Sequence, residues 1–204
     1  MVIIKTWNRV NQRIYKRKGD FMKKNNSMTT PVAIGVGAAV FFVLGRYLSI
    51  PVGFIPNTSV ETTYPFLAFV SVLYGPVAGA LIGLIGHAIK DLLTYGLWWS
   101  WVVTSGITGL GYGYIGSKID IFQGEFIKKD MVKFNVGQVI VNVISWGVIA
   151  PVLDILIYSE PANKVFAQGF VSAGLNSLAV GILGTILIAA YAKTRTKENS
   201  LKRD

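Results

Sequence analysis

His87 and Asp91 stand four residues apart with Lys90 between them, and Trp98, Trp99 and Trp101 follow closely. His87 is the chain's only histidine, and three of its five tryptophans lie in this one stretch. On a helix an i, i+4 pair shares a face, so the imidazole and the carboxylate can meet. Together they can pass a proton or hydrogen-bond a ligand. The indoles can either anchor the chain at a membrane surface or stack on a flat ligand. A metal site needs more donors than this pair supplies and there is no cysteine, so no metal is expected. No P-loop, nucleophile elbow or His-Glu-x-x-His occurs, which leaves binding as the chemistry on offer.

What must position these residues is a hydrophobic chain. Hydrophobic residues make up 52% and charged ones 15%, with a mean hydropathy of +0.50. A soluble domain carries about one quarter charged residues. The charges are also clustered, so that 62–89, 92–117, 134–153 and 165–192 contain no Asp, Glu, Lys or Arg. Each stretch reaches the ~20 residues that a bilayer-spanning helix requires. This pattern describes a multi-pass membrane protein with almost no soluble part. Residues 1–28 are polar and basic, with Asp20 as their lone acid. They have no apolar core of signal-peptide length and read as a cytosolic tail touching anionic lipid, with no folded platform to present them to nucleic acid. Met22-Lys-Lys resembles a natural beginning.

Six spans are predicted. The first starts at Thr30–Pro31 and runs to about Leu48, carrying Ala33, Gly35, Gly37 and Ala39 as small pairs four apart. Such a face packs either on another helix of the chain or on a separate membrane subunit. Pro51, Gly53 and Pro56 forbid a continuous helix over Ser49–Glu61, so an ordered loop is expected. Its Asn57, Thr58, Ser59 and Glu61 either cap the next helix or line a pocket. The second span, about Thr62–Leu73, is short and breaks at Tyr74-Gly75-Pro76. The third, Pro76 to about Tyr95, puts His87 roughly 16 Å and Asp91 roughly 22 Å from its start, past the midplane of a core ~30 Å thick. Charge at that depth is costly, which weights His87 and Asp91 toward function. The fourth span ends near Gly116 and is rich in glycine. The fifth, roughly Phe134–Tyr158, carries Gln138, Asn142 and Ser145 on one face, then Trp146, Pro151 and Asp154. The sixth, about Val165–Ala192, carries Gln168, Ser172, Asn176 and Ser177.

An even number of spans puts both termini on one side. Of the 20 basic residues, all but Arg46, Lys90 and Lys164 lie at the termini or within 118–133. By the positive-inside rule both termini are cytoplasmic. The first loop, the Lys90–Trp101 turn and the Ser159–Lys164 loop then face outward together, and these are the places where polar and aromatic residues gather.

Phe41-Phe-Val-Leu-Gly-Arg-Tyr, Ile55-Pro-Asn-Thr, Leu73-Tyr-Gly-Pro, Gly86-His-Ala-Ile-Lys-Asp and Trp98-Trp-Ser-Trp, together with the small-residue face of the first span, resemble the membrane-embedded S components of energy-coupling factor (ECF) transporters. The resemblance covers about Met22 to Lys193 and is greatest to the riboflavin-type subgroup, to which cobalamin-binding members belong. It implies an all-α membrane protein with a six-helix S-component bundle at 29–192, between a basic segment at 1–28 and a tail at 193–204, in the plasma membrane of a prokaryote. It implies a vitamin ligand, cobalamin ahead of riboflavin, and no cofactor. Substrate binding is expected of Asn57, Thr58, Glu61, Tyr64, His87, Lys90, Asp91, Tyr95, Trp98, Trp99, Trp101, Asn142 and Trp146. Docking to an EcfT-type transmembrane coupling subunit, driven by two ATPase subunits, is expected of Ala33, Gly35, Gly37 and Ala39. The readings outside transport are a membrane scaffold and an intramembrane enzyme using His87 and Asp91 as acid and base.

Overall fold

The computed structural model describes residues 29–53, 58–121 and 126–195. Asn57, the basic segment at 1–28 and most of the charged tail lie outside them. Six helical stretches follow one another: α1 (Thr29–Tyr47), α2 (Thr63–Tyr74), α3 (Pro76–Leu92), α4 (Trp99–Gly116), α5 (Lys128–Tyr158) and α6 (Ala162–Lys193). Three of them, Thr30–Tyr47, Lys128–Tyr158 and Ala162–Lys193, are long and apolar enough to cross a membrane. Apolar side chains cover the outside of the bundle as well as its core. Val32, Leu156, Leu178 and Ile182 are 61–73% exposed, as suits a surface solvated by lipid.

The break predicted between the second and third helices is present. Gly75 adopts φ 90°, a conformation that disfavours side chains, and Pro76 opens α3 where its missing N–H costs nothing. α2, only 12 residues long, lies largely inside the bundle, with Leu67, Ala68 and Ser71 fully buried. α3 ends at Leu92, earlier than expected, because the N–H groups of Thr94, Tyr95 and Gly96 all turn back to the Asp91 carbonyl.

The glycines of α3 and α4 mark where their backbones touch. A Cβ on Gly109 would lie 2.1 Å from the Gly79 carbonyl oxygen, and one on Gly79 would lie 2.6 Å from that of Gly109. No side chain fits there, so glycine is what permits this crossing. Gly37 is used in the same way: it is buried, and a Cβ on it would meet Ile82 of α3 at 2.8 Å. The predicted docking face therefore divides. Gly37 packs within the chain, Ala33 is half-buried, and Gly35 and Ala39 remain exposed on the outer side of α1.

Two features were not anticipated. The first loop contains a minimal antiparallel pair, β1 (Ile50–Pro51) with β2 (Ser59–Val60), closed further by Val52 N–H donating to the Thr58 carbonyl at 2.8 Å. Both long helices also widen into π turns, at Ser145–Ile149 in α5 and Val180–Gly184 in α6. In α5 the cause is Pro151, which removes one N–H from the ladder and crowds the preceding turn. Against that turn lies Gly169 of α6, where a Cβ would stand 2.3 Å from the Trp146 carbonyl oxygen and 2.6 Å from Pro151.

Substituting Gly109→Ala is expected to overpack the α3–α4 crossing at a cost of about 1–3 kcal/mol or more, seen as a lowered midpoint of thermal aggregation in detergent. Gly35→Ala, with nothing within 4 Å of its Cβ, should leave that midpoint unchanged.

Candidate functional site

The residues that gather around the main cavity come from every connection at one end of the bundle. The first loop contributes Thr58, Ser59 and Glu61; the turn after α3 contributes Tyr95 and Trp98; the α5–α6 connection contributes Glu160 and Lys164. Below them Tyr64 of α2, His87, Lys90 and Asp91 of α3, Trp101 of α4, Trp146 and Asp154 of α5, and Val165, Gln168, Ser172 and Asn176 of α6 complete a cavity of about 380 Å³. The three connections expected to lie together do so.

Asp154 organises the aromatic wall. It is 2% exposed, deep among apolar helices, and it receives three donors from α4 and the residue before it. Trp98 Nε1 donates to Oδ1 at 2.6 Å, Trp101 Nε1 donates to Oδ2 at 2.7 Å, and the Ser100 hydroxyl also donates to Oδ1. Charge-assisted bonds of this kind are the strong ones. Each tryptophan is then fixed from one side: Trp98 stacks on Tyr158 with centroids 4.4 Å apart, and Trp101 stacks on Trp146 at 5.6 Å. Tyr64 meets Trp146 edge-on at 4.9 Å. The π turn in α5 sets the rotation of Trp146 that makes these contacts.

On the opposite wall the imidazole and carboxylate do meet. His87 Nε2 lies 3.3 Å from Asp91 Oδ1, and His87 Nδ1 hydrogen-bonds the Ser105 hydroxyl, which also bonds Tyr64 Oη at 3.0 Å. Serine, histidine and aspartate thus stand in the order of a hydrolase triad. Ser105, however, is fully buried and does not line the cavity, so its oxygen has no access to a substrate. The arrangement positions His87 rather than activating a nucleophile.

Lys90 does not pair with its neighbour Asp91. Its stem runs over Gly45 of α1, where a Cβ would stand 2.8 Å from Lys90 Cδ, and its Nζ reaches Glu61 Oε1 at 3.4 Å. Glu61 also accepts from Thr63 Oγ1 at 3.3 Å. The first loop is thereby tied to α3 at the mouth of the cavity. Lys164 pairs with Glu160 at 2.7 Å on the far rim.

Of the expected binding residues, Thr58, Glu61, Tyr64, His87, Lys90, Asp91, Tyr95, Trp98, Trp101 and Trp146 line the cavity. Two do not. Trp99 is 48% exposed and points away, because only positions three or four apart share a helix face and Trp98 and Trp101 already take the inner one. Asn142 is fully buried inside the bundle. Its Oδ1 accepts from Tyr112 Oη at 3.0 Å and its Nδ2 donates to Gln138 Oε1 at 2.9 Å, while Gln138 Nε2 donates to the Ser177 carbonyl. This chain of amides joins α4, α5 and α6 and leaves Asn142 no capacity for a ligand.

The family model described as "ECF-type riboflavin transporter, S component" matches residues 25–193. The chain belongs to this family. Among its relatives, a UPF0397 protein of Enterococcus faecalis (strain ATCC 700802 / V583) is 59% identical over 184 residues, covering 90% of this chain and all of the relative. A UPF0397 protein of Staphylococcus aureus (strain Newman) is 58% identical over 185 residues, covering 90% of this chain and again all of the relative. As an S component it is a substrate-binding membrane subunit of a transporter and not an enzyme.

Ser59, one of the loop residues read as capping a helix or lining a pocket, lines the cavity, and Asp154, Glu160, Lys164, Val165, Gln168, Ser172 and Asn176 complete it without having been expected there. Lys164, Gln168, Ser172 and Asn176 recur every four residues, so the inward stripe of α6 was written in the sequence. Asp154 was marked by its position, an acid at the end of a long uncharged run.

Asn142→Ala leaves Tyr112 Oη and Gln138 Oε1 unpaired, and is expected to lower the stability of the detergent-solubilised protein by about 1–3 kcal/mol. Ligand affinity of the folded fraction should stay at the wild-type value in an equilibrium titration.

Proposed function

We propose that this chain captures a vitamin-sized planar heterocycle from outside a prokaryotic cell and delivers it through an EcfT-type coupling subunit powered by two ATPase subunits. The observation that carries this reading is the aromatic and carboxylate-lined cavity where three connections converge. Clefts of roughly 300–1,000 Å³ lined by aromatic groups with a few fixed polar ones are the usual form of small-molecule sites. Clustering of basic residues at the termini and in 118–133 supports an outward-facing cavity.

The size of the cavity supports the reverse of the ligand order expected from the sequence. A flavin or a smaller ring system suits about 380 Å³, whereas a corrin is several times too large and would have to rest on the mouth. The family description, which names riboflavin, supports the same direction. Coupling is assigned to the outer side of α1, where Gly35 and Ala39 are exposed, and not to Gly37, which Ile82 covers.

Two experiments test this. Mass spectrometry of the small molecule released from protein purified in detergent, alone or after incubation with a vitamin panel, should find one planar heterocycle of flavin size or smaller at one-to-one stoichiometry. Release of a corrin would overturn the size argument, and no bound molecule under any condition would overturn the capture role. In cells, the double variant Gly35→Leu/Ala39→Leu should abolish uptake while ligand affinity of the purified subunit stays as in wild type. Unchanged uptake would move the docking face elsewhere.

A further inference from the structure

We infer that the ligand carries a positive charge: a cationic planar heterocycle held between aromatic faces and buried carboxylates. The inference rests on the cavity being the substrate site and adds the charge that size alone leaves open.

Four carboxylates line the cavity, Glu61, Asp91, Asp154 and Glu160, against two ammonium groups, Lys90 and Lys164. Both ammonium groups are already engaged, Lys90 by Glu61 and Lys164 by Glu160. Asp91 and Asp154 are left over. They are 0% and 2% exposed, and among the described residues neither has a lysine or arginine in ion-pair contact. All three donors to Asp154 are neutral, two indoles and a hydroxyl. Asp91 receives the backbone N–H of Trp98 on Oδ2 at 3.3 Å and a hydrogen bond from Tyr95, and its remaining donor lies at Oδ1. His87 Nε2, at 3.3 Å, is the nitrogen that stands beside it. With Nδ1 facing the Ser105 hydroxyl and Nε2 facing Asp91 Oδ1, the imidazole has a partner on each nitrogen as a neutral ring. A buried carboxylate without a countercharge is expensive in surroundings of low dielectric constant. Two of them on one cavity make its interior a sink for a cation.

The aromatic wall points the same way independently. Trp98 and Trp101 both turn their electropositive N–H edges to Asp154, and stacking on Tyr158 and Trp146 occupies one face of each. What remains for a ligand is electron-rich ring face, the surface that attracts cations. A neutral ring would leave both carboxylates uncompensated, and an anion would be repelled.

The test compares two vitamins of opposite character on the purified full-length chain: thiamine, a permanent cation, and riboflavin, which is neutral. Tryptophan quenching or calorimetry at pH 7 should show thiamine binding at least about tenfold more tightly than riboflavin. The preference should collapse in Asp91→Asn, which keeps the shape of the side chain and removes its charge. Asp154→Asn provides a second variant should the first fail to fold. On the wild type alone, competition for uptake in cells should rank the cation above the neutral ring. Equal affinities, or a preference that survives both substitutions, overturn the charge assignment. Binding of riboflavin alone overturns it while preserving the size argument, and binding of neither, with no co-purified molecule, removes the capture role as well.

Discussion

A carboxylate cannot rest inside an apolar bundle without donors, and the answer to that constraint at Asp154 shapes the working end of this molecule. Its two oxygens gather two indoles and a hydroxyl from residues more than fifty positions earlier. In doing so they bind the last turn of α5 to the first turn of α4. The stacking partners Tyr158 and Trp146 belong to α5 as well, so one helix supplies both the anchor and the rings that the anchored tryptophans lean on. The π turn at Ser145–Ile149 sets the angle between these two parts of α5. Pro151 and Gly169 are where that angle is fixed, by a missing N–H and a missing Cβ.

Much of this was legible from residue types. Charge-free runs gave the helices, Tyr74-Gly75-Pro76 gave the break, and the convergence of three loops followed from counting spans. Other parts depend on partners that the sequence does not name. Gly37 announces a close approach without saying to what, and the answer is Ile82 of the same chain. Asn142 announces a hydrogen bond, which Tyr112 and Gln138 take. Trp99 sits between two cavity residues and is turned out by helical geometry alone. The four-residue stripe of α6 needed only the same rule applied from Lys164 onward. The two-residue strands and the π turn of α6 have no local signature, whereas Pro151 marked the π turn of α5.

The polar groups of the bundle divide by function according to whether they are satisfied within the protein. The amides of α5 form a closed chain from Tyr112 to the Ser177 carbonyl, and they hold helices together. At the cavity the accounting does not close: among the described residues, Trp146 Nε1 and Asn176 Oδ1 are left over.

The tie between Lys90 and Glu61 bears on time rather than on strength alone. It holds the first loop to α3 at the mouth, in a pair whose side chains are 13% and 16% exposed, so that water screens it weakly. Parting of the pair would free the loop from α3 above a guest. Differences in affinity among related complexes reside mostly in departure rates, and a loop tied down in this way adds to the barrier to departure. A receptor built for long residence scavenges well and releases poorly. For a transporter subunit, that places the work of release outside the binding site itself.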